Sequence, residues 1–143
     1  MVDVERIFTV RKPVDTVIEY LKDFSHSERW DPGTVSCRRT GSGPLGVGAE
    51  WHNVTEFRGK KTELTYRLDR AEPGRLVFVG TNKTVTSTDD LTLTALGEGT
   101  RVTYRATITF HGLAKLADPF LKREFERLGD EVVSTMTETL EAL

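Results

Sequence analysis

The sequence predicts an α+β fold in which a long C-terminal helix lies across a curved antiparallel sheet. Three observations predict it. From Thr34 to Phe110 the apolar residues recur with period 2, in segments joined by very short turns. The last third of the chain switches to a helical period over roughly 24 residues. A single strand and two short helical patterns precede the strand block. With 143 residues, 37% hydrophobic and 29% charged, the chain reads as one globular domain, 1–143, rather than a disordered or membrane-embedded one.

In the first strand, Val4, Arg6, Phe8 and Val10 alternate with Asp3, Glu5, Ile7 and Thr9. Pro13 suits the first turn of a helix, where its missing N–H costs nothing. Val14, Val17, Ile18 and Leu21 then make one helical face. Asp23 is placed to cap a second short helix carrying Phe24 and Trp30, which Asp31-Pro32-Gly33 stops. Strands are expected over 34–40, 49–57, 62–72, 75–82, 84–96 and 100–111. Arg58-Gly59-Lys60, Pro73-Gly74 and Gly97-Glu98-Gly99 are compact turns between them. Connections this short force neighbouring strands to be antiparallel, and the first strand plus these six makes a sheet of about seven. Asp118 as cap and Pro119 at the first helical position open the last helix. Leu121, Phe125, Leu128, Val132, Met136, Leu140 and Leu143 form its apolar stripe. At about 1.5 Å per residue the rod is about 36 Å long, and only the sheet is large enough to cover it.

Face assignments follow from period 2. Val102, Tyr104, Ala106, Ile108 and Phe110 point inward on the last strand. Leu64, Tyr66 and Leu68 do so on an earlier one, with Leu76 and Phe78 beside them. Leu91 and Leu93 share their face with Asp89, Ser87 and Val85. Trp51, Asn53, Thr55 and Phe57 are assigned inward because Glu50 and Glu56 would be costly inside. The inner set therefore mixes apolar bulk with Asn53, Tyr66, Ser87, Asp89 and Tyr104. Either these polar tips sit at strand ends, wet or satisfied locally, or they orient a ligand in a cavity.

Composition removes several function classes. A formal net charge of −2 supplies no basic field for nucleic acid, and Arg38-Arg39 and Lys60-Lys61 read as solvated surface. Cys37 is the single cysteine, so neither an internal disulfide nor a cysteine-rich zinc site is expected. Acids precede any apolar run at the N-terminus, so neither a signal peptide nor stable membrane insertion is expected, and a cytoplasmic location is the default. The sequons at Asn53 and Asn82 then carry little meaning.

The order of strand, two short helices, six-strand meander and long C-terminal helix resembles the START-like (SRPBCC) superfamily. Local stretches are most similar to its polyketide cyclase/dehydrase and lipid-transport group. They are Pro13-Val14-Asp15-Thr16-Val17, Phe24 to Trp30 before Asp31-Pro32, Gly48-Ala49-Glu50-Trp51, Leu76-Val77-Phe78, and Gly99-Thr100-Arg101-Val102-Thr103-Tyr104. The resemblance spans essentially the whole chain, and none of these stretches is a catalytic signature. It implies a helix-grip architecture with a deep pocket between sheet and helix. Its members include lipid carriers, hormone receptors and aromatase/cyclases.

Other motifs resolve to ordinary structure. Gly41-Ser42-Gly43-Pro44-Leu45-Gly46 matches G-x-G-x-x-G, but a strand follows it instead of a helix, and Pro44 removes a donor. It reads as a hairpin loop, a candidate flap over the pocket mouth. His26, His52 and His111 have no metal-ligand spacing and read as surface or rim residues, so no metal and no cofactor are expected. Asp89 and Asp90 point to opposite faces and are not an acid–base pair. Asp89 itself reads as a strand-edge acid paired with an arginine such as Arg67 or Arg105; if buried, it would be a pocket acid with a raised pKa. Gly129 interrupts the long helix, leaving room either for ligand or for close contact with a strand.

The leading expectation is binding of a small hydrophobic or amphipathic, lipid- or polyketide-like molecule by a monomer or homodimer. The site residues expected are Trp30, Trp51, Asn53, Tyr66, Phe78, Asp89, Tyr104, Phe110, Leu128, Val132 and Met136. The alternative is a polyketide aromatase/cyclase or dehydrase in the same pocket, with Asp89 and Tyr104 as candidate catalytic groups. A protein-interaction or stress-response domain with an incidental cavity is the third reading.

Overall fold

The computed structural model describes the backbone of residues 1–143 and every side chain except those of residues 117–120. Strand β1 (Val2–Val10) leads into helix α1 (Val14–Leu21), a 3-10 turn (Phe24–His26) and a single helical turn, α2 (Ser27–Trp30). Six strands follow: β2 (Thr34–Thr40), β3 (Glu50–Phe57), β4 (Lys60–Glu72), β5 (Arg75–Thr81), β6 (Val85–Leu96) and β7 (Gly99–Phe110). A second 3-10 segment (Gly112–Ala117) precedes the long helix α3 (Asp118–Glu141). The expected cap at Asp118-Pro119 lies outside the described side chains.

The strands form one antiparallel sheet in the order β1-β7-β6-β5-β4-β3-β2. The first strand therefore pairs with the last, and α1 and α2 carry the chain from one sheet edge to the other. Register shifts between Thr34 and Ser36 and between Leu68 and Arg70 mark bulges, which bend strands and increase twist. The sheet wraps around α3, as a helix-grip fold requires.

Several boundaries differ from expectation for local reasons. Pro13 caps α1 with an extended backbone and accepts from the Val17 N–H, so it sits one place before the first turn. Arg58 and Gly59 both have positive φ, 55° and 79°, which makes a two-residue turn whose twist matches the flanking strands. Lys60 is thereby freed to begin β4. Asp23 does cap the residues after α1, but they form a 3-10 turn. Leu143 lies beyond α3 and is 39% exposed, so the apolar stripe ends at Leu140.

The core divides into two clusters. The larger contains Trp30, Trp51, Tyr66, Phe78, Tyr104, Val132, Met136 and Leu140 among others. The smaller is Val2, Val4 and Ile108, with Ala106, Phe110 and Phe125 against it. Gly129 sits where α3 crosses β1. A Cβ there would lie 2.7 Å from Val4 Cγ1, which supplies the close-contact reason for the glycine.

Candidate ligand-binding site

Between the two clusters, under the N-terminal half of α3, lies a partly open cavity of about 110 Å³. Leu128, Gly129, Val132 and Phe125 form its helical wall; Val4, Ala106 and Ile108 form the wall from β1 and β7. Its polar lining is Asp31, Thr55, Glu56, Tyr66, Ser87, Asp89 and Tyr104. The small residues Ala106 and Ser87 leave a gap that larger side chains would fill, while Val4 takes up the space beside Gly129.

Strand register brings the polar groups together. Asp89 of β6 is opposite Ala106 of β7, and Tyr104 lies two residues along the same face. This diagonal spacing suits a long side chain, and the Tyr104 hydroxyl donates to Asp89 Oδ2 at 2.9 Å. Tyr66 of β4 is opposite Gly80 of β5. A Cβ on Gly80 would lie 2.5 Å from the Tyr66 ring, so the ring occupies the space that glycine leaves. Asp31 terminates α2 in a tight turn, accepting from the Gly33 N–H at 3.0 Å and the Thr34 hydroxyl at 2.9 Å.

Burial dominates the electrostatics. Asp89 is 4% exposed, and removal from water, reinforced by the charge of Asp31, pushes its carboxyl up to about 7; hydrogen bonds from Tyr104 and Tyr66 oppose that rise. Burial likewise raises Asp31, against the pull of Gly33 and Thr34. Burial first, and the Asp89 charge second, push the Tyr66 and Tyr104 phenols well above their ordinary value of 10. The result is a carboxyl that changes charge near neutrality, flanked by phenols that stay protonated. Such a group can accept or donate a proton at physiological pH.

Arginine pairing for Asp89 is overturned. Arg67 binds Asp69 and Arg105 binds Asp3, both on the outer face. No basic side chain lines the cavity among the described residues. At its mouth Phe57 stacks on Phe125, with centroids 4.7 Å apart and planes within 2°. Arg58 reaches Glu124 across the same gap at 3.8 Å.

A family model for polyketide cyclase/dehydrase and lipid transport proteins matches residues 1–141. The chain belongs to this family. No curated protein matches the sequence. Among solved structures, a START superfamily protein from Mycobacterium smegmatis superposes with a TM-score of 0.81 at 11% identity, covering 98% of this chain and 97% of that one. The Zhui aromatase/cyclase from Streptomyces sp. R1128 gives 0.74 at 16% identity, covering 98% and 91%. A STAR-related lipid transfer protein from Xanthomonas axonopodis gives 0.74 at 12% identity, covering 95% and 84%. At these identities the likeness establishes the fold alone.

Within this polyketide cyclase/dehydrase and lipid transport fold, Tyr66, Asp89, Tyr104, Leu128 and Val132 reach the cavity. Trp30, Trp51, Asn53, Phe78, Phe110 and Met136 do not line it. Trp30, Trp51, Phe78 and Met136 are fully buried core. Trp51 donates from Nε1 to Asp23 Oδ1 at 3.2 Å, and Trp30 packs edge-on behind Tyr104 at 6.0 Å. Asn53 is satisfied locally by the Thr55 hydroxyl at 2.6 Å. Phe110 is half-buried against Phe125, outside the lining. The glycine-rich loop is not a flap over this mouth. It joins β2 to β3 at the end far from Thr55, Glu56 and Phe57, and Arg39 ties it down through the Gly43 and Pro44 carbonyls.

The remaining candidates are structural. His26 stacks on Tyr20, His52 meets Glu63 at 2.9 Å, and His111 meets the Thr86 hydroxyl at 2.8 Å. Burial pushes the Cys37 thiol up to about 11, which keeps it unreactive. Among the described residues no group of three or more His, Cys, Asp or Glu is arranged to hold a metal ion, and no helix is long and apolar enough to cross a membrane. Asp31, Thr55, Phe57 and Phe125 line the site without having been singled out for it. Asp31 read only as a turn former; its second role depends on where α2 docks.

Proposed function

We infer that this domain binds a small hydrophobic or amphipathic molecule in the cavity between the sheet and α3. One observation carries the reading: an otherwise apolar gap between two core clusters gathers Tyr66, Asp89 and Tyr104 on one side. Apolar walls supply affinity, and a few convergent polar groups orient the ligand. At about 110 Å³ the cavity suits a single ring or the end of a chain. A longer molecule would enter only if the stacked Phe57 and Phe125 rings separated. An NMR titration with benzyl alcohol tests this. Saturable shifts centred on Tyr66, Asp89, Tyr104 and Val132 are expected, and Leu128→Trp should abolish them. Shifts spread over the outer surface would count against the site.

The position of Asp89 favours a second reading, acid–base catalysis of the cyclase or dehydrase kind. Its carboxyl, near 7 and hydrogen-bonded to a phenol, suits enolisation and loss of water from a polyketone. Under this reading Asp89→Asn and Tyr104→Phe lose turnover of a model polyketone while retaining most of its binding. Equal losses of binding and turnover would return the balance to a carrier.

A further inference from the structure

We propose that the cavity selects a small hydrophobic base: an aromatic or alicyclic amine whose cationic nitrogen sits among Asp31, Asp89 and the surrounding rings. This deepens the ligand-binding reading and rests on it. The charge inventory of the lining is one-sided: Asp31 and Asp89 are its inward carboxyls, while Glu56 meets it from the exposed, outward-facing position of β3. Elsewhere on the sheet, acids have cationic partners: Asp3 with Arg105, Asp69 with Arg67, Asp90 with Arg75. Asp89, the most buried of these acids at 4% exposure, has only phenols.

A buried carboxylate without a cation is costly, so the protein either keeps it protonated or obtains the cation from outside. A ligand ammonium meets that need. The rings supply a second, independent feature. Tyr66 and Tyr104 line the same cavity, and aromatic faces attract cations that have left water. Val4, Ile108, Leu128 and Val132, which line the same cavity, give the apolar body of the ligand a dry surface. A fatty-acid carboxylate or a phosphate would instead face Asp31 and Asp89 with no compensating base among the described lining residues.

The groups facing Asp89 come from every neighbouring element. Asp31 arrives from the α2–β2 connection, Tyr66 from β4 and Tyr104 from β7; Glu56 of β3 is exposed on the other face of its strand, and β1 and α3 contribute no charge to the lining. A cation stabilises the ionised carboxyl, so amine affinity rises with pH as Asp89 loses its proton, with Asp31 coupled to it. A neutral ligand gains nothing from that ionisation.

The test compares benzylamine, benzyl alcohol and benzoate, which share one ring and differ in charge, by calorimetric and NMR titration of the intact protein. At pH 8 benzylamine should bind about tenfold or more tighter than benzyl alcohol, with benzoate weakest. The advantage should shrink severalfold at pH 5.5, and in Asp89→Asn it should fall severalfold at pH 8 as well, Asp31 keeping the remainder. The wild-type pH profile keeps the test intact if that variant fails to fold. Benzyl alcohol or benzoate matching benzylamine at pH 8, with shifts at the cavity, overturns the cation preference and leaves ligand binding standing. No binding of any probe at millimolar concentration overturns both.

Discussion

Gly80 and Tyr66 face each other across β5 and β4, and the site depends on the missing side chain. Alanine at position 80 would force its methyl into the Tyr66 ring. Gly80→Ala should therefore cost about 1–3 kcal/mol by overpacking, measured by urea unfolding. It should also raise the Asp89 pKa, because the Tyr66 hydroxyl would lose its hold on the carboxylate. An unchanged pKa, followed by carboxyl carbon NMR, would show that Tyr66 does not support Asp89. Asp89 makes a second residue-scale prediction. Its carboxyl binds a proton more tightly folded, near 7, than unfolded, near 3.8. Its destabilising effect is absent below the unfolded value and grows as pH rises toward 7. Asp89→Asn should thus gain a few kcal/mol relative to wild type at pH 8 and much less at pH 5. A difference independent of pH would mean that Asp89 does not titrate in this range. The sequence already separated Asp89 from its suggested arginines: Arg105 is on the outer face with Asp90, its cross-strand partner, while Asp89 is on the inner face. Strand parity was the better guide than the general rule that acids seek arginines.

At the scale of elements, α3 meets β1 through Gly129 and Val4, and Arg6 ties the two together. Arg6 donates to Asp130 Oδ1 at 2.7 Å and to the Glu126 carbonyl at 3.0 Å. Gly129→Ala would gain about 1 kcal/mol of helix propensity but meet Val4 at 2.7 Å. Net destabilisation is expected alone, and stabilisation relative to Val4→Ala when the two are combined. Additive effects in that double-mutant cycle would contradict the contact. The β3–β4 hairpin narrows the mouth through Phe57 and Phe125. Phe125→Ala should raise both association and dissociation rates of a bound ring, read by stopped-flow or line-shape analysis; unchanged rates would place the entry elsewhere. Most strand limits were legible because apolar alternation and short turns are local signals. Trp51 reads as a wall residue because period 2 gives the face of a strand and nothing about depth, and Trp30 because the end of a short helix gives no measure of depth either. Both point inward, yet both lie in the packed part of the core.

For the whole molecule, the architecture follows from one long amphipathic helix needing a surface of its own length. The C-terminal half of α3 is packed dry by Met136 and Leu140, whereas its N-terminal half spans the gap between clusters. The helical stripe announces burial along the whole rod and does not distinguish these halves. That distinction comes from the summed volumes of Ala106 and Ser87 against their neighbours, which no single segment encodes. Asp31 is similar: its Asp-Pro-Gly turn was readable, but its place beside Asp89 exists only after α2 docks. The central claim is that this gap is a ligand site rather than a packing defect. Native mass spectrometry of the protein purified from its source tests that most directly. A co-purifying small molecule is predicted on the wild-type chain and absent from Leu128→Trp. Wild-type protein that is uniformly free of ligand, or a ligand retained undiminished by Leu128→Trp, would contradict the account.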